Sequence, residues 1–165
     1  IIELLAERPA LINLELKVVD HNGRALADAV VAALDRAGQP SWLLSSFDRA
    51  ALTRLKSCDV ALPRALLIDD DSACAWWSSS LPDRGADALA QASEDVGGHL
   101  VAIHPHGRLV SAERMTLWRE AGMRVHVWTL NGPVPWAAAV RAGVDAVITD
   151  DPGGMAAWLA GEGLG

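Results

Sequence analysis

Three times this chain runs from an Ala-rich stretch through Ala-Gly into an apolar run, and that unit limits what it can fold into. Arg36-Ala37-Gly38 leads to Trp42-Leu43-Leu44-Ser45, and Glu120-Ala121-Gly122 leads to Val125-His126-Val127-Trp128. Arg141-Ala142-Gly143 leads to Val144-Asp145-Ala146-Val147-Ile148. A Gly just past a helix end takes the left-handed conformation that closes it, so each junction marks a helix stop and a strand start. The stretches before the junctions, about 24–37, 111–121 and 134–142, carry apolar residues at helical spacing. Pro133 opens the last of them, where its missing N–H would be unpaired anyway.

With the other apolar runs the expected strands are six: 11–17, 42–46, 65–69, 100–104, 124–130 and 144–149. Helical stretches fall near 24–37, 48–56, 86–96, 111–121, 134–142 and 154–160, and 70–85 is expected to be a long loop. Strands alternating with crossovers of this length are parallel, which makes the fold class α/β. With 165 residues, 51% of them hydrophobic, the chain is long enough for one sizeable core, and a single domain over 1–165 is expected. Six units suit either an open doubly wound sheet or most of an eight-stranded barrel. The open sheet would be marked by a Gly-rich phosphate turn, and neither G-x-G-x-x-G nor G-x-x-x-x-G-K-[ST] occurs. A complete barrel needs roughly 200 residues or more. The expectation is therefore a partial TIM-type (β/α) barrel of about six parallel strand–helix units, its first strands missing.

The net charge of −7 comes from interspersed acids and bases, without the basic face that a nucleic-acid binder carries. No apolar run reaches the ~18 residues of a membrane span. Cys58 and Cys74 follow no metal-ligand spacing and read as structural thiols, which favours a reducing, cytoplasmic location. The chain opens Ile1-Ile2-Glu3 with no initiator Met, so a signal peptide stays an open question.

In a barrel, chemistry sits at the C-terminal ends of the strands. The first such end, Asn13-Leu14-Glu15-Leu16-Lys17, puts Asn13, Glu15 and Lys17 on one face and the leucines on the other. Were this strand covered on both faces, an unpaired Glu15 would cost several kcal/mol. A metal ion, Lys17 or a phosphate would relieve that cost; a structural Glu–Lys pair or an edge strand with one wet face is the alternative. The other ends are Ser45-Ser46-Phe47-Asp48, Ile68-Asp69, Ile103-His104-Pro105, Trp128-Thr129-Leu130-Asn131 and Ile148-Thr149-Asp150-Asp151-Pro152.

Four of these ends, in this order, resemble the glycerophosphodiester phosphodiesterase family: "INLELK" at 12–17, "LLSSFD" at 43–48, "HVWTLN" at 126–131 and "GVDAVITDDP" at 143–152. The resemblance implies a TIM-type barrel that hydrolyses a small-molecule glycerophosphodiester to glycerol 3-phosphate and an alcohol. It further implies a divalent cation (Mg²⁺ or Ca²⁺) held by carboxylates, and two histidines as general acid and base. Residue by residue, Glu15 matches the family's metal-ligating Glu and Lys17 the catalytic Lys placed to meet a phosphate oxygen. Phe47, Trp128 and Asn131 match substrate-binding positions at the pocket mouth. The family's His-Arg-Gly, Glu-x-Asp and His-Asp motifs have no counterpart in the 14 residues before Glu15. The chain alone is therefore expected to bind metal poorly and to turn over little, and a non-catalytic barrel remnant or interaction module is the alternative function.

The remaining candidates have plainer readings. His104 and His106 read as an ordinary strand end, His99 and His126 as structural, and His21 as part of a turn. Ser45 and Ser46 lack a G-x-S-x-G setting, and helix capping is the expected work of Ser46 or Asp48. Asp150-Asp151 suits a metal or the cap of the last helix equally well, and Trp76-Trp77 is expected to pack. A barrel without its first strands leaves two unpaired edges, so self-association is expected.

Overall fold

The computed structural model describes residues 11–19, 22–37, 41–56, 62–69 and 89–164. Strand β1 (Ile12–Glu15) is followed by α1 (Gly23–Ala37), β2 (Trp42–Ser46), α2 (Arg49–Lys56) and β3 (Arg64–Ile68). Helix α3 is described over 89–95. Then come β4 (Leu100–Pro105), a 3-10 turn (Gly107–Leu109), α4 (Ala112–Glu120), β5 (Arg124–Val127), α5 (Pro133–Ala142), β6 (Ala146–Val147) and α6 (Pro152–Gly161). The expected loop at 70–85, with Trp76, Trp77 and Cys74, lies outside the described residues, as do Cys58, His21 and Gly38.

The six strands pair in parallel in the order β1-β2-β3-β4-β5-β6. When each strand pairs with the next and every crossover is right-handed, all helices fall on one face of the sheet. The sheet curls with that face outward, so the fold is a partial TIM-type barrel, as expected. The main core lies between sheet and helices: Leu44, Leu66, Ile68, Ile103, Val125 and Val127 from the strands meet Val31, Leu52, Leu55, Leu89, Met115 and Trp118 from the helices. On the concave face, buried Leu43, Ala65 and Ala102 form a separate small cluster.

The Ala-Gly junctions do what their chemistry requires. Gly122 and Gly143 have φ of +72° and +71°, the left-handed conformation in which a Cβ would be crowded. Pro133 stands in the first turn of α5 and Pro152 in that of α6. Three strands are shorter than expected, β1 ending at Glu15. β5 stops at Val127, leaving Trp128 in an isolated bridge to His106, and β6 is confined to Ala146–Val147.

One irregularity matters for everything that follows. Arg64 pairs with Leu100 but Ala65 pairs with Ala102, so Val101 is an extra residue in β4. A bulge of this kind reverses the side-chain phase beyond it. Leu100 faces the helices, whereas Ala102 and His104 face the concave side.

Candidate active site on the concave face

β1 brings Glu15 to the concave face, because Leu14 and Leu16 point to the helix side. Glu15 pairs in register with Ser45 of β2. Of the two readings of this strand, the wet-faced one holds: β1 has a described partner on one side only, and Asn13, Glu15 and Lys17 are exposed. Glu15 therefore keeps its hydration and carries no burial cost.

The end of β2 is built by hydrogen bonds that position Phe47. The Ser46 hydroxyl donates to the Leu16 carbonyl at 2.7 Å and accepts from the Asp48 N–H at 3.0 Å. Asp48 then caps α2, its Oδ1 accepting the Ala51 N–H at 2.9 Å. Of the two residues expected to cap this helix, Asp48 does so, while Ser46 ties β2 to the end of β1. Between them the chain turns and leaves Phe47 36% exposed at the rim. Ser45 points to the concave side, and its buried hydroxyl has no partner among the described residues.

At the far side of the bowl, Trp128 follows the end of β5. Its indole N–H donates to the His104 carbonyl at 2.7 Å. Its ring meets Phe47 edge-to-face at 5.5 Å and His106 likewise at 4.9 Å. Phe47 and Trp128, matched as two wall residues of one pocket, are therefore brought together. His106 completes that aromatic group, its Nδ1 accepting the Arg108 N–H at 3.2 Å.

Asn131 joins two loops. Its Oδ1 accepts from the Thr149 hydroxyl at 2.9 Å and the Asp150 N–H at 3.0 Å, while its Nδ2 donates to Asp150 Oδ2 at 2.9 Å. The amide thus ties the loop after β5 to the loop after β6. Of the neighbouring acids, Asp151 caps α6 through the Gly154 N–H at 2.9 Å, and Asp150 holds Asn131.

Beneath the aromatic group lies a pair that sequence reasoning set aside. His104 is fully buried, and its Nε2 is 3.0 Å from His126 Nδ1, the rings 4.8 Å apart. Burial first, and the charge of His126 second, push His104 down to about 3. Burial also lowers His126, with Arg124 in the same direction and Asp145 opposing. Both rings are neutral at pH 7. The one sequence signal for the pair was its place on two strands known to be neighbours if the barrel held; the bulge that turns His104 inward left no mark.

A cation would need more than the described residues of this face provide. Among them no group of three or more His, Cys, Asp or Glu converges. A hard divalent ion takes about six oxygen ligands, and the Glu15 carboxylate would supply only part of them.

Residues 7–154 match the model of the glycerophosphoryl diester phosphodiesterase family. No curated protein sequence matches the chain. Among solved structures, one described as a glycerophosphoryl diester phosphodiesterase from Silicibacter pomeroyi is 27% identical with a TM-score of 0.77, over 92% of this chain and 51% of that one. A phosphodiesterase from Oleispira antarctica, solved in complex with the product sn-glycerol-3-phosphate, is 20% identical with a TM-score of 0.78, over 96% and 59%. A glycerophosphodiester phosphodiesterase from Thermotoga maritima is 24% identical with a TM-score of 0.60, over 86% and 54%. The chain thus spans between half and three-fifths of the length of these structures.

Proposed function

Because the chain belongs to the glycerophosphoryl diester phosphodiesterase family, we propose that it supplies one side of a site that hydrolyses glycerophosphodiesters to glycerol 3-phosphate and an alcohol. The observation that carries this reading is the meeting of Phe47 and Trp128 across the mouth of the bowl, above a face that also presents Glu15 and Lys17. An apolar wall together with an exposed ammonium suits a substrate with one uncharged and one anionic end. In this reading Lys17 meets a phosphoryl oxygen and offsets the charge that grows on it. The aromatic pair packs on the glycerol or alcohol moiety, and Asn131 lines the mouth while holding its loops together.

Glu15 is proposed as one ligand of a divalent cation. The described residues do not bring three such ligands together, and in this reading the family's acid and base histidines lie outside them. Within the described residues no helix is long and apolar enough to cross a membrane.

Hydrolysis of glycerophosphocholine, with and without Mg²⁺ or Ca²⁺, tests the proposal. We expect little or no turnover by the 165-residue chain, and metal-dependent turnover when upstream sequence carrying the family's histidine motifs is supplied. Turnover in neither would move the assignment to a non-catalytic scaffold.

A further inference from the structure

β4 and β5 pair regularly at Ala102–Arg124 and Ile103–Val125, and meet again in the isolated bridge His106–Trp128. His104 and His126 stand on the rungs between. Their rings share one N–H···N bond at 3.0 Å, and the same His104 receives the Trp128 indole on its carbonyl at 2.7 Å.

The direction of the ring bond follows from burial. His104 Nδ1 is buried without a partner among the described residues. A buried bare acceptor is tolerated better than a buried unpaired N–H. The His104 hydrogen therefore sits on Nε2 and is donated to His126 Nδ1, leaving His126 with its hydrogen on Nε2. Two apolar side chains would fill the same volume without desolvating four ring nitrogens. What the imidazoles add is a single orientation, because a hydrogen bond has a direction and apolar packing does not.

We infer that the His104–His126 pair consists of positioning residues for Trp128: it locks β4 against β5 beneath the indole and so sets where the aromatic wall of the substrate pocket stands. The inference rests on the phosphodiesterase reading for its consequence, namely that the pair acts on substrate binding and not on bond cleavage. Its structural half, the coupling of the two rings to Trp128, stands without that reading.

Two kinds of measurement test it. In the unaltered 165-residue chain, ¹⁵N shifts of the imidazoles should show His104 bare at Nδ1 and protonated at Nε2, with a coupling across the bond to His126; the opposite tautomer overturns the inference. In His126→Leu, the Trp128 indole N–H should shift and exchange with solvent about tenfold faster, as loss of a hydrogen-bonded anchor implies. His126→Asn, whose Oδ1 occupies the acceptor position of Nδ1, should restore it. Val125→Ala, a core truncation on the opposite face of the same strand, should lower the melting temperature and leave the indole signal alone. An indole signal that ignores His126→Leu, or that responds equally to Val125→Ala, overturns the inference.

In a longer protein that carries the family's histidine motifs ahead of this sequence, His126→Leu should raise KM for glycerophosphocholine about five- to tenfold with kcat within about twofold. A fall in kcat at unchanged KM defeats the binding role. Absence of turnover in the unaltered protein defeats the phosphodiesterase reading alone, and leaves the indole measurements decisive for the pair.

Discussion

Phe47 and Trp128 end strands β2 and β5, three positions apart in the sheet, yet their rings meet edge-to-face at 5.5 Å. In a flat sheet, neighbouring strands are about 4.8 Å apart, so these two strand ends would be separated by roughly 14 Å. The side chains stand perpendicular to such a sheet and would run parallel without touching. Curvature brings them together.

Trp128→Ala removes both the Phe47 contact and the bond to the His104 carbonyl. An aromatic pair of this geometry contributes about 0.5–1.5 kcal/mol beyond its buried area. We expect glycerophosphodiester binding to weaken about tenfold, with a smaller loss for Phe47→Ala, whose ring is more exposed. Equal KM values for Trp128→Ala and the unaltered protein, measured in the active form, would remove Trp128 from the pocket.

His104 gives the fold an acid limit with a definite sign. Its folded pKa of about 3 lies below the unfolded value of 6.5, so the unfolded chain takes up the proton first. The stability contributed by the neutral ring is complete above about pH 6.5 and is lost as pH falls toward 3. By pH 4.5 the loss is roughly 2–3 kcal/mol, at about 1.4 kcal/mol per pH unit. Melting temperatures from pH 7.5 to 4.5 should fall more steeply in the unaltered chain than in His104→Gln, which cannot titrate. Parallel slopes would contradict the buried neutral ring.

Asn131→Asp exchanges a donor for a second carboxylate against Asp150, while keeping the shape of the side chain. The bond from Nδ2 to Asp150 Oδ2 becomes an unfavourable contact between two oxygens. The variant should lose roughly 1 kcal/mol of stability at pH 7, read from its melting temperature. An unchanged melting temperature would mean that Asp150 is not the group Asn131 faces.

Gly143→Ala meets two obstacles. At φ +71° an added Cβ is strained, and its ideal position lies 2.6 Å from the Arg119 Nη2 that caps α5 through the Gly143 carbonyl. We expect a loss of about 1–2 kcal/mol, or a melting temperature lower by roughly 2–8 °C in a chain of this size. Thermal unfolding followed by circular dichroism reads it directly.

β1 and β6 each have a described partner strand on one side only. Unpaired edges of parallel strands recruit other strands. Sedimentation of the 165-residue chain should show mass above that of the monomer, rising with concentration. A monodisperse monomer up to high concentration would mean that the edges are protected.

The local grammar of this fold could be read directly from the residues. Ala-Gly at 121–122 and 142–143, Pro133 and the apolar runs are consequences of backbone sterics and side-chain period, which act over a few residues. They therefore revealed the units and their parallel order, and narrowed the caps to Ser46 or Asp48 and to Asp150-Asp151, of which Asp48 and Asp151 do the capping. The motif matches around Glu15, Phe47, Trp128 and Asn131 named residues at or just past strand ends, of which the structure brings Phe47 and Trp128 into contact. What no stretch of sequence could decide was which sides of the sheet met what. Whether Glu15 stood in a covered or a wet-faced strand was left open, and it is exposed, because coverage of a strand depends on neighbours distant in the chain. His104, counted by alternation from Leu100, belongs with the core; the extra residue Val101 turns it inward to meet His126. Strand register is a long-range choice between whole faces, and one slipped residue exchanges them.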